Sequence, residues 1–209
     1  MKKISRKKHL EMKLQSIPSH PKPKVGLEQY TTPSVIASDL LWNANSLGDI
    51  ESRNIIDLGC GTGIFAIGSA LMGADSSLGI DIDDDSVSLA LEVSNKLKLD
   101  NANFICCDIC DFNGSENVDT VFQNPPFGSQ RNADKGQDLK FVKKAIELNP
   151  EVMYSFHMAS TEGFLIDYYE KNNLEISHIF RYRFPIPKIY EFHTKEKQDV
   201  NVIVIRAVL

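Results

Sequence analysis

Short apolar runs alternate with stretches of helical periodicity along most of the chain. "NIIDL" (54–58) predicts a buried strand, and the residues from about Gly63 to Met72 predict the helix that follows it. "SLGI" (77–80) predicts a second strand, followed by a helix from about Ser86 to Leu97. "NFICC" (103–107) predicts a third strand. "DTVFQ" (119–123) and "VMYSF" (152–156) predict two more, followed by helices from about Leu139 to Leu148 and from about Thr161 to Lys171. "LEISHIFRYRF" (174–184) and "VNVIVIRAV" (200–208) predict the last two strands. This alternation specifies an α/β, Rossmann-like fold: a seven-stranded, mostly parallel sheet with helices on both faces.

Two further helices precede the first strand. Leu10, Leu14 and Ile17 recur at helical spacing, and "PSHPKPK" (18–24) then breaks the pattern into an extended connector. A helix is expected from Pro33 to Leu47, with Thr32 as N-cap, Pro33 at the first position, and Val35, Ile36, Leu40 and Leu41 on one side. Residues 1–24 are thus read as an N-terminal arm and 25–209 as one domain, a length that can bury a sizeable core.

Charge divides the chain at the same place. The net charge of −5 argues against a nucleic-acid binder, yet residues 1–24 hold eight Lys/Arg and one acid, Glu11. A basic arm on an acidic body can hold phosphates locally, or it can be a solvated helical tail. No run of 18 apolar residues predicts a membrane span, and no signal sequence opens the chain, so a cytoplasmic or nuclear protein is expected. Cys106, Cys107 and Cys110 crowd together and Cys60 stands apart, which fits a reducing compartment better than a disulfide framework. Cys107 and Cys110 form a C-x-x-C without a second ligand pair, so no metal is expected.

An open parallel sheet binds its ligand beyond the carboxyl ends of its strands, and the polar motifs fall there. "DLGCGTG" (57–63) sits at the first strand-to-helix turn, where glycine permits a tight turn and helix N–H groups face the ligand. It is not the dinucleotide fingerprint, because Ile64 stands where the third glycine should be. Asp81 ends the second strand, where a carboxylate can accept both hydroxyls of a ribose. Asp108 follows the third strand and can hold an adenine amino group; both acids could instead cap the next element. Asp83, Asp84 and Asp85 are assigned to capping.

These motifs, with "NPPF" (124–127) after the fourth strand, resemble class I S-adenosylmethionine-dependent methyltransferases over roughly residues 25–209. The resemblance implies S-adenosylmethionine as cofactor, bound by Asp57, Gly59, Gly61, Thr62, Gly63, Ile64, Asp81, Asp108 and Ile109. It also implies that "NPPF" acts on a planar amino nitrogen. The residue types suit that chemistry. The Asn124 side-chain oxygen and the Pro125 carbonyl can both accept from such an amine. Pro125 and Pro126 stiffen the loop, and Phe127 offers a face for a base. A stacked base must be splayed out to reach such a pocket. Arg131 and Lys135, in the polar loop 128–138, can touch phosphate or remain solvated.

"KPKVGLEQYTTP" (22–33), "NPPFG" (124–128), "YSFHMAS" (154–160) and "FHTKEK" (192–197) narrow the resemblance to the methyltransferase-like protein 5 family. That family's members are adenine-N6 methyltransferases of small-subunit ribosomal RNA. The likeness implies that Gln29 and Thr32 close over the cofactor, and that His157, His193, Lys195 and Lys197 contact RNA. For His157 a structural role competes with that one. A small zinc-binding methyltransferase-activator subunit, docked by strand addition, is the partner the family implies. Thr62 departs from the cysteine of some relatives. A protein-glutamine methyltransferase and a non-catalytic, cofactor-binding RNA scaffold are the alternatives.

Overall fold

A computed structural model describes residues 4–20, 22–24, 29, 31–114, 117–127, 136–187 and 197–209. Seven strands form one sheet: β1 (Asn54–Leu58), β2 (Ser76–Asp81), β3 (Ala102–Cys106), β4 (Thr120–Gln123), β5 (Val152–Met158), β6 (Glu175–Pro187) and β7 (Lys197–Val208). Their order is β3-β2-β1-β4-β5-β7-β6, with β7 antiparallel to both neighbours and the other pairings parallel. The order reverses between β1 and β4, so a crevice opens there beyond the strand ends.

Alternation along the inner strands sends side chains to two separate cores. Ile55, Phe122, Val202 and Val204 pack with α1 (Lys7–Gln15), α2 (Ser34–Ser46), α3 (Ile64–Leu71) and α4 (Asp84–Leu97). Ile56, Val121, Ile203 and Ile205 pack instead with α5 (Gln137–Glu147) and α6 (Glu162–Lys171). Strands covered on both faces read as continuous apolar runs, which is the pattern of "NIIDL".

Every residue of α3 is buried. A helix apolar all round needs cover on its outer side as well, and the N-terminal segment supplies it. Leu10, Leu14 and Ile17 of the basic arm sit in the same core as α2 and α3, all nearly inaccessible. Two of the arm's cationic side chains lie outside that seam: Lys8 is exposed and Lys7 pairs with Asp39 at 2.6 Å.

The opposite end of the sheet is pinned by a buried polar cluster. Arg206 of β7 donates from Nε and Nη2 to the two carboxylate oxygens of Asp49, at 2.8 and 2.9 Å. Tyr154 of β5 donates its hydroxyl to the same carboxylate. Burial first, and then the Asp49 charge, push the Tyr154 phenol well above its usual range.

Candidate active site

The carboxyl ends of β1, β2 and β4 and the loop after β3 enclose a cavity of about 320 Å³. Its wall includes Asp57, Gly59, Gly61, Thr62 and Ile64 from the glycine turn, Asp81 from the end of β2, and Asp108 and Ile109 after β3. Asn124 and Pro126 follow β4, and Gln29 and Thr32 reach across from the N-terminal segment. The glycine turn is held from below by Asp57, whose buried carboxylate accepts the Ala66 N–H at 3.0 Å, in the first turn of α3. Burial, and then the nearby Asp81 charge, raise the Asp57 carboxyl to about 7. Asp57 thus shapes the turn as well as lining the cavity.

Gly59 has φ +67°, and a Cβ there would lie 2.8 Å from the Phe141 ring, so no side chain fits between turn and α5. Gly63 has another job from the one expected. It does not line the cavity; it begins α3 in a left-handed conformation, where a Cβ would come within 2.7 Å of Phe104. Its smallness serves packing between α3 and β3, while Thr62 and Ile64 on either side of it line the cavity.

Asp81 accepts from Gly61 N at 2.7 Å and from Asp83 N at 2.9 Å. Each carboxylate oxygen keeps a lone pair for a ligand hydroxyl. Burial raises its carboxyl above the usual range. Asp108 accepts the Cys110 N–H at 2.9 Å, a local turn that presents its carboxylate to the cavity.

Asp83 departs from its expected capping role. It occupies the N-cap of α4 without a side-chain cap bond. Its buried carboxylate accepts instead from Lys24 Nζ, from Gln29 Nε2 at 2.6 Å and from Ser86 Oγ at 3.3 Å. Burial opposes ionisation there, yet these donors prevail and hold the Asp83 carboxyl below its usual value. His20, also buried, brings Nε2 to 3.1 Å from Asp83 Oδ2. Nε2 makes no hydrogen bond among the described residues. Its other nitrogen, Nδ1, accepts from Lys22 N at 3.1 Å.

Thr32 is the second displaced cap. Pro33 occupies the N-cap of α2 and the helix starts at Ser34. The Thr32 hydroxyl, buried, accepts from Asn124 Nδ2 at 2.9 Å. Asn124 Oδ1 is buried and has no hydrogen-bond partner among the described residues. Pro125 is buried behind the loop, and Phe127 meets Phe184 edge-on with centroids 6.3 Å apart; both stand outside the cavity wall.

His157 does not face a nucleic-acid surface. It is fully buried at the end of β5, with Nδ1 3.1 Å from Asp138 Oδ2 and Nε2 3.1 Å from Tyr169 Oη. The apolar neighbours of "YSFHM" exclude solvent on both sides of the strand, so its ring bridges α5 and α6. Arg131, Lys135, His193 and Lys195 lie outside the described residues, and Lys197 is described only as the first residue of β7. His20, Ser86, Lys140 and Phe141 line the cavity and were not singled out from sequence. For His20 the hint was its place in the proline-broken connector; Phe141 carried only a helical core pattern. None of the described helices is long and apolar enough to cross a membrane.

Residues 51–204 match the methyltransferase-domain family. The chain is 42% identical over 96% of its length to an uncharacterized protein of Methanocaldococcus jannaschii, covering 93% of that protein. It is 34% identical over 95% of its length to the rRNA N(6)-adenosine-methyltransferase METTL5 of Danio rerio, covering 97% of it. The crystal structure of a putative RNA methyltransferase from Pyrococcus horikoshii superposes with a TM-score of 0.87 at 35% identity, covering 98% of both chains.

Proposed function

We propose that this chain, which belongs to the class I S-adenosylmethionine-dependent methyltransferases and to their methyltransferase-like protein 5 family, methylates N6 of adenine in RNA, with small-subunit ribosomal RNA as the substrate. The observation that carries the reading is Asn124, a residue of the cavity wall whose buried Oδ1 has no hydrogen-bond partner among the described residues. Leaving such an oxygen unpaired costs about 1–3 kcal/mol. A flat amine that donates a hydrogen to it removes that penalty on binding.

The cavity fits the cofactor's parts in sequence along the strand ends. Asp81 meets a ribose diol, Asp108 an adenine amino group, and the Gly59–Thr62 backbone the remaining chain. S-adenosylmethionine supplies an activated methyl group on a sulfonium. The protein's own contribution is placement. Asn124 Oδ1 accepts one amino hydrogen, and the Pro125 carbonyl is proposed to accept the other. The nitrogen lone pair is thereby turned toward the cavity. Orientation and fixed dipoles of this kind replace a strong general base, because the amine can release its proton after transfer. Phe127 supports the base by stacking, at the side of the loop away from the cavity. The zinc-binding activator subunit belongs to the same proposal: β3 and β6 are the outermost strands and offer edges for strand addition.

Tritiated methyl transfer tests this reading. The substrates are small-subunit rRNA, large-subunit rRNA, duplex DNA and a Gly-Gly-Gln peptide, with and without an activator subunit, followed by nucleoside digestion. N6-methyladenosine in small-subunit rRNA alone is expected. Label in the peptide would move the assignment to glutamine methylation. Cofactor binding without transfer to any substrate, with the activator present, would make the chain a scaffold.

A further inference from the structure

His157 is a buried titratable group that stands outside the cavity wall. Parallel pairing sets Gln123 of β4 beside Ser155 of β5, and β4 ends there. His157, two residues on, shares the face of Ser155 and stands level with the loop that carries Asn124 and Pro125. Its Nδ1 lies 3.1 Å from Asp138 and its Nε2 3.1 Å from the Tyr169 hydroxyl. Burial opposes ionisation of Asp138, yet the His157 hydrogen bond prevails and holds that carboxyl below its usual value. A carboxylate can only accept, so Nδ1 carries a proton and donates to Asp138 whether the ring is neutral or charged. Asp138 sits in the first turn of α5, and that turn needs a hold. It follows Gly136, which is left-handed at φ +89° and gives no side-chain cap among the described residues. One turn further, Lys140 and Phe141 line the cavity. The Phe141 ring abuts Gly59, where a Cβ would lie 2.8 Å from it. A line of contacts thus runs from β5, through the start of α5, to the glycine turn.

We infer that His157 and Asp138 are positioning residues for the cavity: the bond from His157 Nδ1 to Asp138 fixes the first turn of α5, and so keeps Phe141 against Gly59 and the wall in its binding shape. The second contact, from Nε2 to Tyr169, ties α6 to the sheet and plays no part in binding. This rests on the reading of the cavity as the cofactor site.

Two amides divide the imidazole between them. The Asn side-chain amide reaches the place of Nδ1, and the Gln amide reaches the place of Nε2. His157→Asn therefore keeps a donor for Asp138, while His157→Gln keeps a partner for Tyr169 alone. Each variant loses one bond and the ring, so a merely structural histidine predicts the same outcome for both. The test uses the full chain and reads the Kd for S-adenosylhomocysteine by calorimetry. It also reads the Gly59 α-proton resonances, which feel the ring current of Phe141. The Kd should weaken about fivefold in His157→Gln and stay within about twofold of wild type in His157→Asn and Tyr169→Phe, the scale of a contact acting through its neighbours. The Gly59 resonances should move in His157→Gln alone of these three. Asp138→Ala, at a half-buried position, should repeat the His157→Gln result, and it keeps the test open if that variant does not fold. The ¹⁵N signals of His157 in wild type should show a protonated Nδ1, and a bare Nδ1 would overturn the inference at once. So would equal Kd values in the Asn and Gln variants, or a Tyr169→Phe protein that binds as weakly as Asp138→Ala. A wild type that binds no S-adenosylhomocysteine would sink the cofactor reading, while the Gly59 resonances would still decide whether His157 holds Phe141 in place.

Discussion

Asp81 accepts the Gly61 backbone N–H at 2.7 Å, so the acid that ends β2 and the glycine turn that follows β1 are a single unit. Each holds the other in the conformation that lines the cavity. Removing the carboxylate therefore loses a ligand contact and also slackens the turn. Asp81→Ala should weaken S-adenosylhomocysteine binding at least about tenfold, the scale of a lost charge-assisted hydrogen bond. Titration calorimetry gives the answer directly, and unchanged affinity would contradict the role.

Asn124→Ala should separate binding from chemistry. The cavity keeps its acids and its glycine turn, so cofactor Kd should stay within about twofold. Transfer should fall by at least about 100-fold, because the acceptor that orients the amine is gone. Single-turnover rates at saturating cofactor measure this, and an active variant would remove the orientation mechanism.

Asp57 predicts a pH dependence of stability. An aspartate in the unfolded chain releases its proton near pH 4, whereas burial lets Asp57 keep it to about 7 in the fold. Between those values the folded state binds more protons, so stability falls as pH rises and levels off above about 7. Asp57→Asn keeps an acceptor for Ala66 and has no proton to lose. Between pH 5 and pH 7.5 it should flatten the profile by about 3 kcal/mol, the part of the shift that lies between pH 5 and about 7. Urea unfolding of both proteins at pH 5 and pH 7.5 isolates the difference, and parallel profiles would show that Asp57 does not titrate this way.

The N-terminal arm should matter for stability before it matters for RNA. Leu10 is fully buried against α2 and α3. Leu10→Ala should cost about 3 kcal/mol, visible as a lower midpoint in thermal unfolding. Exchanging exposed Lys8 for Gln should leave that midpoint unchanged. If the two variants unfold alike, the arm is not part of the core.

The strand ends were legible because their signals are local. Glycine spacing, terminal acids and the Asn-Pro-Pro loop each announce themselves within a few residues, and the observed β1 coincides with "NIIDL". The mostly parallel sheet follows from the same alternation, but the order of its strands does not. Side-chain commitments over long separations were not legible. Thr32 and Asp83 both carry strong local capping signals, yet tertiary partners claim both, because a buried hydroxyl and a buried carboxylate must satisfy the groups that close over them. His157 was ambiguous for a related reason: its burial depends on α5 and α6, and its own strand shows only an imidazole in an apolar run. Gly63 belonged to a recognisable motif, but which glycine meets ligand and which meets Phe104 depends on β3, some forty residues on.

The strand that comes last along this sequence is not at the margin of the sheet. β7 lies between β5 and β6, and its Arg206 reaches back to Asp49, a partner 157 residues earlier. A stop codon between positions 187 and 197 would thus delete an inner plank and leave β6 with no strand to pair to among the described residues, rather than trimming an edge. Late nonsense alleles, commonly read as mild, should here behave as complete losses of the protein.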